Sequence, residues 1–267
     1  LEEVTLASAE SIRFESADAL EIHGMLMRPA AFDAGKRYPL IVRIHGGPVS
    51  QHQFEFDFEW QLFAAHGYAV VGANPRGSSG RGYEFQLKLF ADWGHADVPD
   101  VLAAVDYLVA AGIADPERLG VGGWSYGGIL TNYVIATDTR FKAATSGAGM
   151  SNMLGGYGID QYVREWEAEL GKPWENPETW LRLSYPFLHA DRISTPTLFL
   201  CGSLDFNVPL AASEQMYQAL RSLGVPTQLV IYPEQYHSLD RVSFQYDELE
   251  RYLDWYRRYL LQSGDAR

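Results

Sequence analysis

A serine in a glycine-rich stretch is the residue of this sequence best suited to act as a nucleophile. Ser125 lies in GGWSYGG, where Gly123 and Gly127 complete the pattern G-x-S-x-G. A serine hydroxyl is a poor nucleophile unless a neighbouring base accepts its proton. The pattern is typical of a sharp strand-to-helix turn, which needs small residues two positions before and after the serine. We therefore predict that Ser125 lies exposed on a strained turn.

Two residues further along the chain supply the expected acid and base. In this topology both follow the serine, the acid first, and each comes just after a later strand. Asp205 follows an apolar run that ends near Cys201, and His237 follows the next apolar run. Each has a plain alternative, Asp205 as the cap of a helix near Leu210 and His237 as an ordinary loop residue. The order of the three residues at strand ends favours a triad with His237 as the base.

The six other histidines suit the role of base less well. His45 follows a strand but precedes the serine, and it adjoins glycines that meet another need. The other five fall in predicted hairpin, helical or loop segments: His23, His52, His66, His95 and His189. His237 is therefore the favoured base.

The motif HGGP, at residues 45–48, suits the stabilisation of a negative oxygen. Attack on a carbonyl group creates an oxyanion that must meet preorganised N–H donors. We expect the N–H of Gly47 to be one donor, and the N–H of Tyr126, directly after the nucleophile, to be the other. Pro48 has no N–H and restricts the turn, while Gly46 is expected to serve only the conformation of the loop.

Strand and helix patterns alternate along most of the chain, and they indicate how these residues meet. Residues 11–29 alternate apolar and polar positions around a turn at 16–18, which predicts a β-hairpin. Apolar runs typical of buried strands then alternate with segments of helical spacing. The strands are expected within 38–47, 68–77, 118–124, 141–149, 195–203 and 226–234, and the helices within 58–67, 97–112, 129–137, 210–224 and 243–261. This order predicts a mostly parallel sheet covered by helices on both faces.

One segment, residues 150–194, breaks this alternation. It is rich in aromatic residues and prolines, and a helix is expected within 160–171. We predict an insertion between two strands, near the active site. Most of its aromatic residues are expected to form a local core, while Tyr157, Tyr162 and Trp166 are expected to wall an apolar substrate pocket.

The composition is that of an ordinary globular protein, and it disfavours several functions. The 267 residues are 47% apolar and 21% charged, with 34 acidic and 21 basic residues and a net charge of −13. A chain this acidic argues against a nucleic-acid partner. Cys201 is the single cysteine, and no histidine is spaced from a cysteine or glutamate as in a metal site. No apolar run reaches the roughly 18 residues that are needed to span a membrane. We expect no cofactor, no metal and no membrane partner, and we favour a cytoplasmic location.

A second glycine-rich stretch, GSSGRG at residues 77–82, invites comparison with a nucleotide-binding loop. The pattern G-x-G-x-x-G at the start of a helix after the first strand is absent, and no acidic residue follows at the required distance. A nucleotide site is therefore disfavoured. We expect Arg76 and Arg81 instead to form structural ion pairs with nearby acidic residues.

Five motifs in order give the chain a family resemblance. HGGP, NPRGSSGRGY, GWSYGG, GSLDFNVP and YPEQYH together resemble the catalytic domain of the prolyl oligopeptidase family of serine peptidases, most of all its bacterial acylaminoacyl-peptidase and dipeptidyl-peptidase-like members. The resemblance covers essentially the whole chain. It implies an α/β-hydrolase fold, a triad of Ser125, Asp205 and His237, and hydrolysis of short peptides rather than folded proteins. We expect one catalytic domain over residues 1–267, with a hairpin and lead-in at 1–37.

Two departures from the family pattern bear on the substrate. Family members usually carry an N-terminal β-propeller, which this sequence does not show, so we expect either an isolated catalytic portion or a single-domain relative with an open site. Prolyl oligopeptidases and acylaminoacyl peptidases also tend to carry an arginine two residues after the catalytic aspartate, where it binds a substrate carbonyl. That position is Asn207 here, which donates one hydrogen bond rather than a charged, bidentate contact.

Three functions are compatible with these residues. The first is a cofactor-free serine peptidase that cleaves short peptides through an acyl-enzyme. The second is a carboxylesterase that uses the same triad on small esters, because a fold does not fix its substrate. The third is a non-catalytic binding module of the same fold, which the intact serine, aspartate and histidine disfavour. The expected partner is a small peptide or ester substrate, and both a homo-oligomer and a missing N-terminal β-propeller domain are left open.

Overall fold

The computed structural model describes residues 5–261, and a sheet of eight strands lies at its centre. In chain order the strands are β1 Ala9–Glu15, β2 Glu21–Met27, β3 Tyr38–Ile44, β4 Ala69–Asn74, β5 Ala114–Trp124, β6 Ala143–Gly147, β7 Thr197–Gly202 and β8 Thr227–Tyr232. Across the sheet they lie in the order β1-β2-β4-β3-β5-β6-β7-β8. Residues 1–4 of the predicted lead-in and residues 262–267 of the predicted domain lie outside the described residues.

The sheet is antiparallel at one end and parallel over the rest. Strands β1 and β2 form an antiparallel hairpin, and β2 also pairs antiparallel with β4. All the pairings from β4 through β3 to β8 are parallel. The hairpin turn closes where the sequence predicts it, with the N–H of Ser16 donating to the carbonyl of Leu20 at 2.8 Å. The predicted mostly parallel sheet with an N-terminal hairpin is confirmed.

Helices supply the crossovers that parallel strands require. Those within residues 5–261 are α1 Phe58–Ala65, α2 Tyr83–Leu87, α3 Val98–Ala110, α4 Tyr126–Thr137, α5 Met153–Gly156, α6 Val163–Leu170, α7 Pro177–Arg182, α8 Tyr185–Leu188, α9 Leu210–Ser222 and α10 Val242–Leu260. Six of them, α1, α3, α4, α6, α9 and α10, match predicted helical segments. The others are too short for a hydrophobic period to reveal them. In this described part of the chain, no helix has the length and apolar character needed to cross a membrane.

Apolar cores lie on both faces of the sheet because successive strand residues point to opposite faces. In β3, Leu40 and Val42 pack into one core with α3, α4 and α9. Ile41, between them, packs into a second core with α1 and α10. The prediction of helices on both faces is confirmed by these two cores.

The insertion lies between β6 and β7, as predicted, and contains α5 to α8. Trp180 is its fully buried centre, and its indole N–H donates to the carbonyl of Gly171 at 2.9 Å. Tyr157 packs edge-on against Trp180, with ring centroids 5.4 Å apart. The insertion thus has a local core of its own, as expected for most of its aromatic residues.

Candidate active site

The residues singled out for chemistry gather at one edge of the sheet. Residues 45–48 follow β3, Ser125 follows β5, Asp205 follows β7 and His237 follows β8. These four strands are parallel, so their carboxyl ends lie at the same edge, which is where open α/β sheets bind ligands. The topology therefore brings together residues that are more than 100 positions apart in sequence.

The turn that carries Ser125 is sharp and strained. The backbone of Ser125 has φ +63° and ψ −126°, and residues other than glycine rarely adopt a positive φ. A Cβ at Gly123 would lie 2.4 Å from the carbonyl oxygen of Ile44, and a Cβ at Gly127 would lie 2.1 Å from the same oxygen. Neither flank tolerates a side chain, so the predicted strained turn and its need for glycine are confirmed.

Backbone hydrogen bonds hold this turn on both sides of the serine. The N–H of Ser125 donates to the carbonyl of Gly147 in β6 at 2.9 Å, and the N–H of Ile129 donates to the carbonyl of Ser125 at 2.9 Å. A residue held at such a φ costs roughly 1–3 kcal/mol and persists only where the surroundings over-determine it. Here the neighbouring strand and the first turn of α4 supply that constraint.

Three of the predicted site residues form one chain of hydrogen bonds. The Nε2 atom of His237 lies 2.8 Å from the Oγ of Ser125, and its Nδ1 atom lies 2.7 Å from the Oδ2 of Asp205. A carboxylate accepts, so Nδ1 carries the proton and Nε2 is free to accept the proton of the serine hydroxyl. The geometry is that of a nucleophile, a base and a group that orients the base.

The Asp205 carboxylate is buried and divides its two oxygens between two tasks. Oδ2 accepts from His237, while Oδ1 accepts from the N–H groups of Asn207 at 2.9 Å and Val208 at 3.0 Å. The alternative role, capping the helix near Leu210, does not apply, because Pro209 occupies the cap position of α9. The two backbone bonds to Oδ1 fix the carboxylate so that Oδ2 faces the histidine.

Two residues that the sequence argument missed hold the loop of His237. The indole N–H of Trp124 donates to the carbonyl of His237 at 2.8 Å. The buried side chain of Gln235 accepts from the N–H of Asp240 at 2.7 Å through its Oε1. No local pattern predicts these contacts, although the position of Trp124 directly before Ser125 was a signal that it lies near the site.

The HGGP loop lies against the serine turn. A Cβ at Gly46 would be 3.7 Å from the Cβ of Ser125. The Nδ1 of His45 donates to the carbonyl of Gly46 at 2.7 Å, and the Oγ of Ser78 lies 3.0 Å from the Nε2 of His45. Because the C=O and N–H of a trans peptide point in opposite directions, the bond from His45 also fixes where the N–H of Gly47 points. Gly47 has φ +133°, which favours glycine at that position.

Tyr126, the other predicted oxyanion donor, opens α4. The carbonyl of the preceding peptide accepts from Ile129, so the N–H of Tyr126 points out of the N-terminal end of the helix. Its side chain is buried, and its hydroxyl donates to the Oδ2 of Asp97. Asp97 lies at the start of α3 but does not cap that helix with its side chain.

Asn207 meets the insertion. Its Oδ1 accepts from the Nε2 of Gln161 at 2.6 Å, and the N–H of Gln161 donates to the carbonyl of Phe206 at 3.0 Å. With Oδ1 occupied, the amide nitrogen of Asn207 is the group left for a further partner. The insertion therefore touches the loop of Asp205 through Gln161, a residue that the sequence argument did not single out.

The three predicted wall residues have different surroundings. Trp166 is 9% exposed, and its indole N–H donates to the Oδ2 of Asp160 at 2.8 Å. Tyr162 is half-buried, with its ring 6.3 Å from that of Trp166. The hydroxyl of Tyr157 donates to the Oε1 of Glu167 at 2.7 Å, inside the insertion. The structure thus groups Trp166 with Tyr162, while Tyr157 packs on the centre of the insertion.

The Trp166 ring is also connected to the serine turn through packed aromatic rings. It packs edge-on against Trp93, with centroids 5.2 Å apart, and Trp93 packs edge-on against Tyr126, with centroids 5.3 Å apart. The indole N–H of Trp93 donates to the Oε1 of Glu169 in α6 at 2.9 Å. Trp93, which the sequence argument missed, is therefore the ring that joins the insertion to the turn.

The second glycine-rich stretch serves the fold. Arg76 forms the predicted ion pairs, with Asp18 at 3.0 Å and Asp100 at 2.7 Å. Arg81 makes contacts of another kind, since it donates to the carbonyl of Glu21 and lies 4.3 Å from the centre of the Phe85 ring. Ser78, in the same stretch, contributes the hydroxyl that lies 3.0 Å from the Nε2 of His45.

Other titratable groups near this edge are held neutral. Burial lowers the pKa of His45 and lowers that of His52 to about 3. Burial also raises the pKa of the Cys201 thiol to about 12, so it stays protonated and unreactive. Within residues 5–261, no group of three or more His, Cys, Asp or Glu side chains is arranged to hold a metal ion.

The chain is similar to known proteins over most of its length. The model of the Prolyl oligopeptidase family matches residues 54–263. The "Uncharacterized peptidase YuxL" of Bacillus subtilis (strain 168) is 37% identical over 253 residues, covering 93% of this chain and 38% of that protein. The Acylamino-acid-releasing enzyme of Arabidopsis thaliana is 33% identical over 235 residues, covering 84% of this chain and 31% of that protein. A solved acylaminoacyl peptidase in complex with Z-Gly-Gly-Phe-chloromethyl ketone is similar with a TM-score of 0.91 at 30% identity, covering 98% of this chain and 44% of that one.

These similarities bear on both fold and family. The structural match and the sheet order confirm the predicted α/β-hydrolase fold. The chain spans less than half the length of each of the three proteins named above. Because the family model covers well over half of the sequence, including the turn of Ser125 and the loops of Asp205 and His237, the chain belongs to the prolyl oligopeptidase family of serine peptidases.

Proposed function

We propose that the chain is a serine peptidase unit that cleaves short peptides, in the manner of acylaminoacyl or dipeptidyl peptidases, through an acyl-enzyme. One observation carries the proposal: Ser125, His237 and Asp205 are joined by hydrogen bonds of 2.8 and 2.7 Å at the carboxyl edge of the sheet. The names of the similar proteins support peptides as the substrate class. Residues 1–267 are proposed to act as one catalytic domain.

The first chemical step is acylation. The Oγ of Ser125 attacks the substrate carbonyl carbon while the Nε2 of His237 takes the hydroxyl proton. Asp205 keeps the imidazole in the tautomer that accepts at Nε2, and it stabilises the imidazolium that forms. The carbonyl oxygen becomes an oxyanion, which the N–H groups of Gly47 and Tyr126 stabilise.

The acyl-enzyme then forms and is hydrolysed. The tetrahedral intermediate collapses, the C–N bond breaks, and His237 returns its proton to the leaving amine. A water molecule gives its proton to the same nitrogen and attacks the ester carbonyl of the acylated Ser125. The C–Oγ bond breaks, the proton returns to Ser125, and the free acid leaves.

The substrate contacts that we propose lie where the insertion meets the edge of the sheet. The amide nitrogen of Asn207 donates to a substrate carbonyl, because its Oδ1 is engaged by Gln161. Tyr162 and Trp166 are retained as walls of an apolar pocket, on the basis of their mutual packing and their link to Tyr126 through Trp93. Tyr157 is retained as a third wall residue.

A comparison of substrates tests the proposal. Peptide p-nitroanilides and short-chain p-nitrophenyl esters are offered to the wild-type chain and to Ser125→Ala. We expect amidase activity on the peptides, and a loss on the order of 10⁶-fold in kcat for Ser125→Ala. Ester turnover without any amidase activity would instead indicate the carboxylesterase. Peptide turnover that persists in Ser125→Ala would exclude Ser125 as the nucleophile.

A further inference from the structure

A carboxyl group is buried directly behind the serine turn and plays no part in the mechanism above. Asp97 is fully buried at the start of α3, and its Oδ2 accepts a hydrogen bond from the hydroxyl of Tyr126. A buried carboxyl group is costly unless it is hydrogen-bonded, so its position needs a reason. The side chain does not cap its own helix. Its side-chain partner is instead the residue after the nucleophile, and hydrogen bonding from the backbone N–H groups of Gly94 and of Asp97 itself has a smaller effect on its pKa.

The Tyr126 side chain is fixed along its whole length. It is 1% exposed, and its ring lies edge-on to that of Trp93, at 5.3 Å and 89°. The His45 ring lies on another side, with centroids 6.4 Å apart. The hydroxyl at the far end is then tied to Asp97. Any rotation of the Tyr126 backbone would have to move a buried ring and break this hydrogen bond.

That backbone is the one that carries an oxyanion donor. The peptide unit between Ser125 and Tyr126 presents the N–H that faces the developing charge, and its orientation depends on ψ of Ser125 and φ of Tyr126. Ser125 is strained, and the bond from the Ile129 N–H to the Ser125 carbonyl holds this peptide unit from its C=O side. The Tyr126 side chain constrains the peptide unit from the opposite side.

The hydroxyl acts as the donor in this contact. Burial and the neighbouring Asp97 raise the pKa of Tyr126 well above its usual value, so the hydroxyl keeps its proton. Burial raises the pKa of Asp97 to about 7, against the opposing effect of the Tyr126 hydroxyl. Oδ2 can accept from the hydroxyl whether or not the carboxyl group is ionised, and an amide oxygen can do the same.

We propose that Asp97 is a positioning residue for catalysis, which aims the backbone N–H of Tyr126 at the oxyanion by anchoring the Tyr126 hydroxyl. The proposal rests on the proposed function, because it presupposes acyl transfer at Ser125. A donor that acts on the oxyanion stabilises the transition state more than the bound substrate. Loosening it therefore lowers kcat and leaves KM unchanged.

Two substitutions separate positioning from stability. Tyr126→Phe removes only the hydroxyl, and Asp97→Ala removes its acceptor together with the rest of the carboxyl group. Asp97→Asn keeps an oxygen that accepts from the hydroxyl. The matched control is Tyr252→Phe, because the Tyr252 hydroxyl donates to Glu248 at 2.9 Å and burial raises the pKa of Glu248 to about 7, in a helix on the other face of the sheet.

The experiment measures kcat and KM on a peptide p-nitroanilide, inhibition by the peptide aldehyde of the same sequence, and thermal unfolding. The aldehyde forms a hemiacetal with the serine whose oxygen occupies the oxyanion position. Removing an oxyanion donor costs about 10²–10³-fold, so a loosened donor should cost about tenfold. We expect Tyr126→Phe and Asp97→Ala to lose about tenfold in both kcat and aldehyde affinity, with KM within about twofold. Asp97→Asn and Tyr252→Phe should keep the kcat and the aldehyde affinity of the wild type.

Several results would overturn the proposal. The first is a folded Tyr126→Phe or Asp97→Ala variant that keeps the wild-type kcat and aldehyde affinity. The second is a Tyr252→Phe variant that loses as much kcat and aldehyde affinity as Tyr126→Phe does. If neither of the first two variants folds, Asp97→Asn decides, since a tenfold loss of kcat in a folded protein contradicts the acceptor role. Turnover that survives Ser125→Ala marks failure of the proposed function instead, and the two failures are therefore distinguishable.

Discussion

The loops at the carboxyl edge of the sheet and the insertion at 150–194 hold their side chains in different ways. At the edge, backbone groups hold Asp205 and Ser125: Asp205 accepts from two backbone N–H groups, and the Ser125 turn is closed by two backbone hydrogen bonds. In the insertion, side chains hold the predicted wall residues Trp166 and Tyr157, which donate to Asp160 and Glu167. We infer that the edge fixes the chemistry, while the insertion is free to change the substrate.

The largest effect that sharpens this comparison comes from exchanging a carboxylate for an amide in each region. Asp205→Asn should lower kcat by about 10⁴-fold, because an amide no longer enforces the tautomer of His237 that accepts at Nε2. Asp160→Asn should cost less than about tenfold, and mainly in KM, because an amide oxygen still accepts from Trp166 and only the bond from the Tyr162 N–H is lost. Steady-state kinetics on one peptide p-nitroanilide measure both. Equal losses of kcat would contradict the division between the two regions.

A smaller effect is expected where the insertion touches the edge. Gln161→Ala should raise KM about fivefold, the equivalent of one hydrogen bond of about 1 kcal/mol, because Asn207 loses the partner that orients its amide. Gln161→Glu should raise KM further, since a carboxylate accepts from the Asn207 amide nitrogen, which is then no longer available to the substrate. The KM values of the two variants test this order. A glutamate variant that binds substrate better than the alanine variant would refute the orientation of Asn207.

The smallest effect concerns stability and pH behind the site. Burial raises the pKa of Asp97 to about 7, so its contribution to the free energy of unfolding is complete below about pH 4 and is lost as the pH rises through 7. Tyr126 donates to it, and the other titratable groups that act on this pair are Asp100, itself paired with Arg76, and Tyr133. Asp97→Asn should therefore lose less stability than the wild type between pH 5 and pH 8.

Urea unfolding at the two pH values checks this expectation. Glu248→Gln serves as the comparison, because burial also raises the pKa of Glu248 to about 7 on the other face of the sheet. Distant sites are generally additive, so the two substitutions together should flatten the pH dependence by the sum of their separate effects. A pH slope in Asp97→Asn equal to that of the wild type would show that Asp97 does not titrate in this range.

The contrast between the two regions also explains what the sequence could predict. Ser125, Asp205 and His237 each follow an apolar strand, and parallel strands bring such positions to one edge whatever the loops between them contain. The long helices were predictable for a similar reason, because their apolar spacing spans several turns. These features depend on local patterns combined with a simple topology.

The supporting contacts were not predictable from local patterns. Trp124 and His237 are 113 positions apart, and the hydroxyl of Tyr126 meets Asp97 across 29 positions. Gln161 has no motif of its own and meets Asn207 only because the insertion folds back on the edge. Such contacts depend on how separate elements pack, and the short helices of the insertion carry too few residues to show a period.

Covalent labelling is the most direct test of the central claim that Ser125 is the nucleophile of this site. The folded chain is treated with a fluorophosphonate, digested, and examined by mass spectrometry. We expect one adduct per chain, on the peptide that contains Ser125, and none in Ser125→Ala. Labelling should also become much slower in His237→Ala, which lacks the base. An adduct elsewhere, or no adduct on the wild-type chain, would contradict the account.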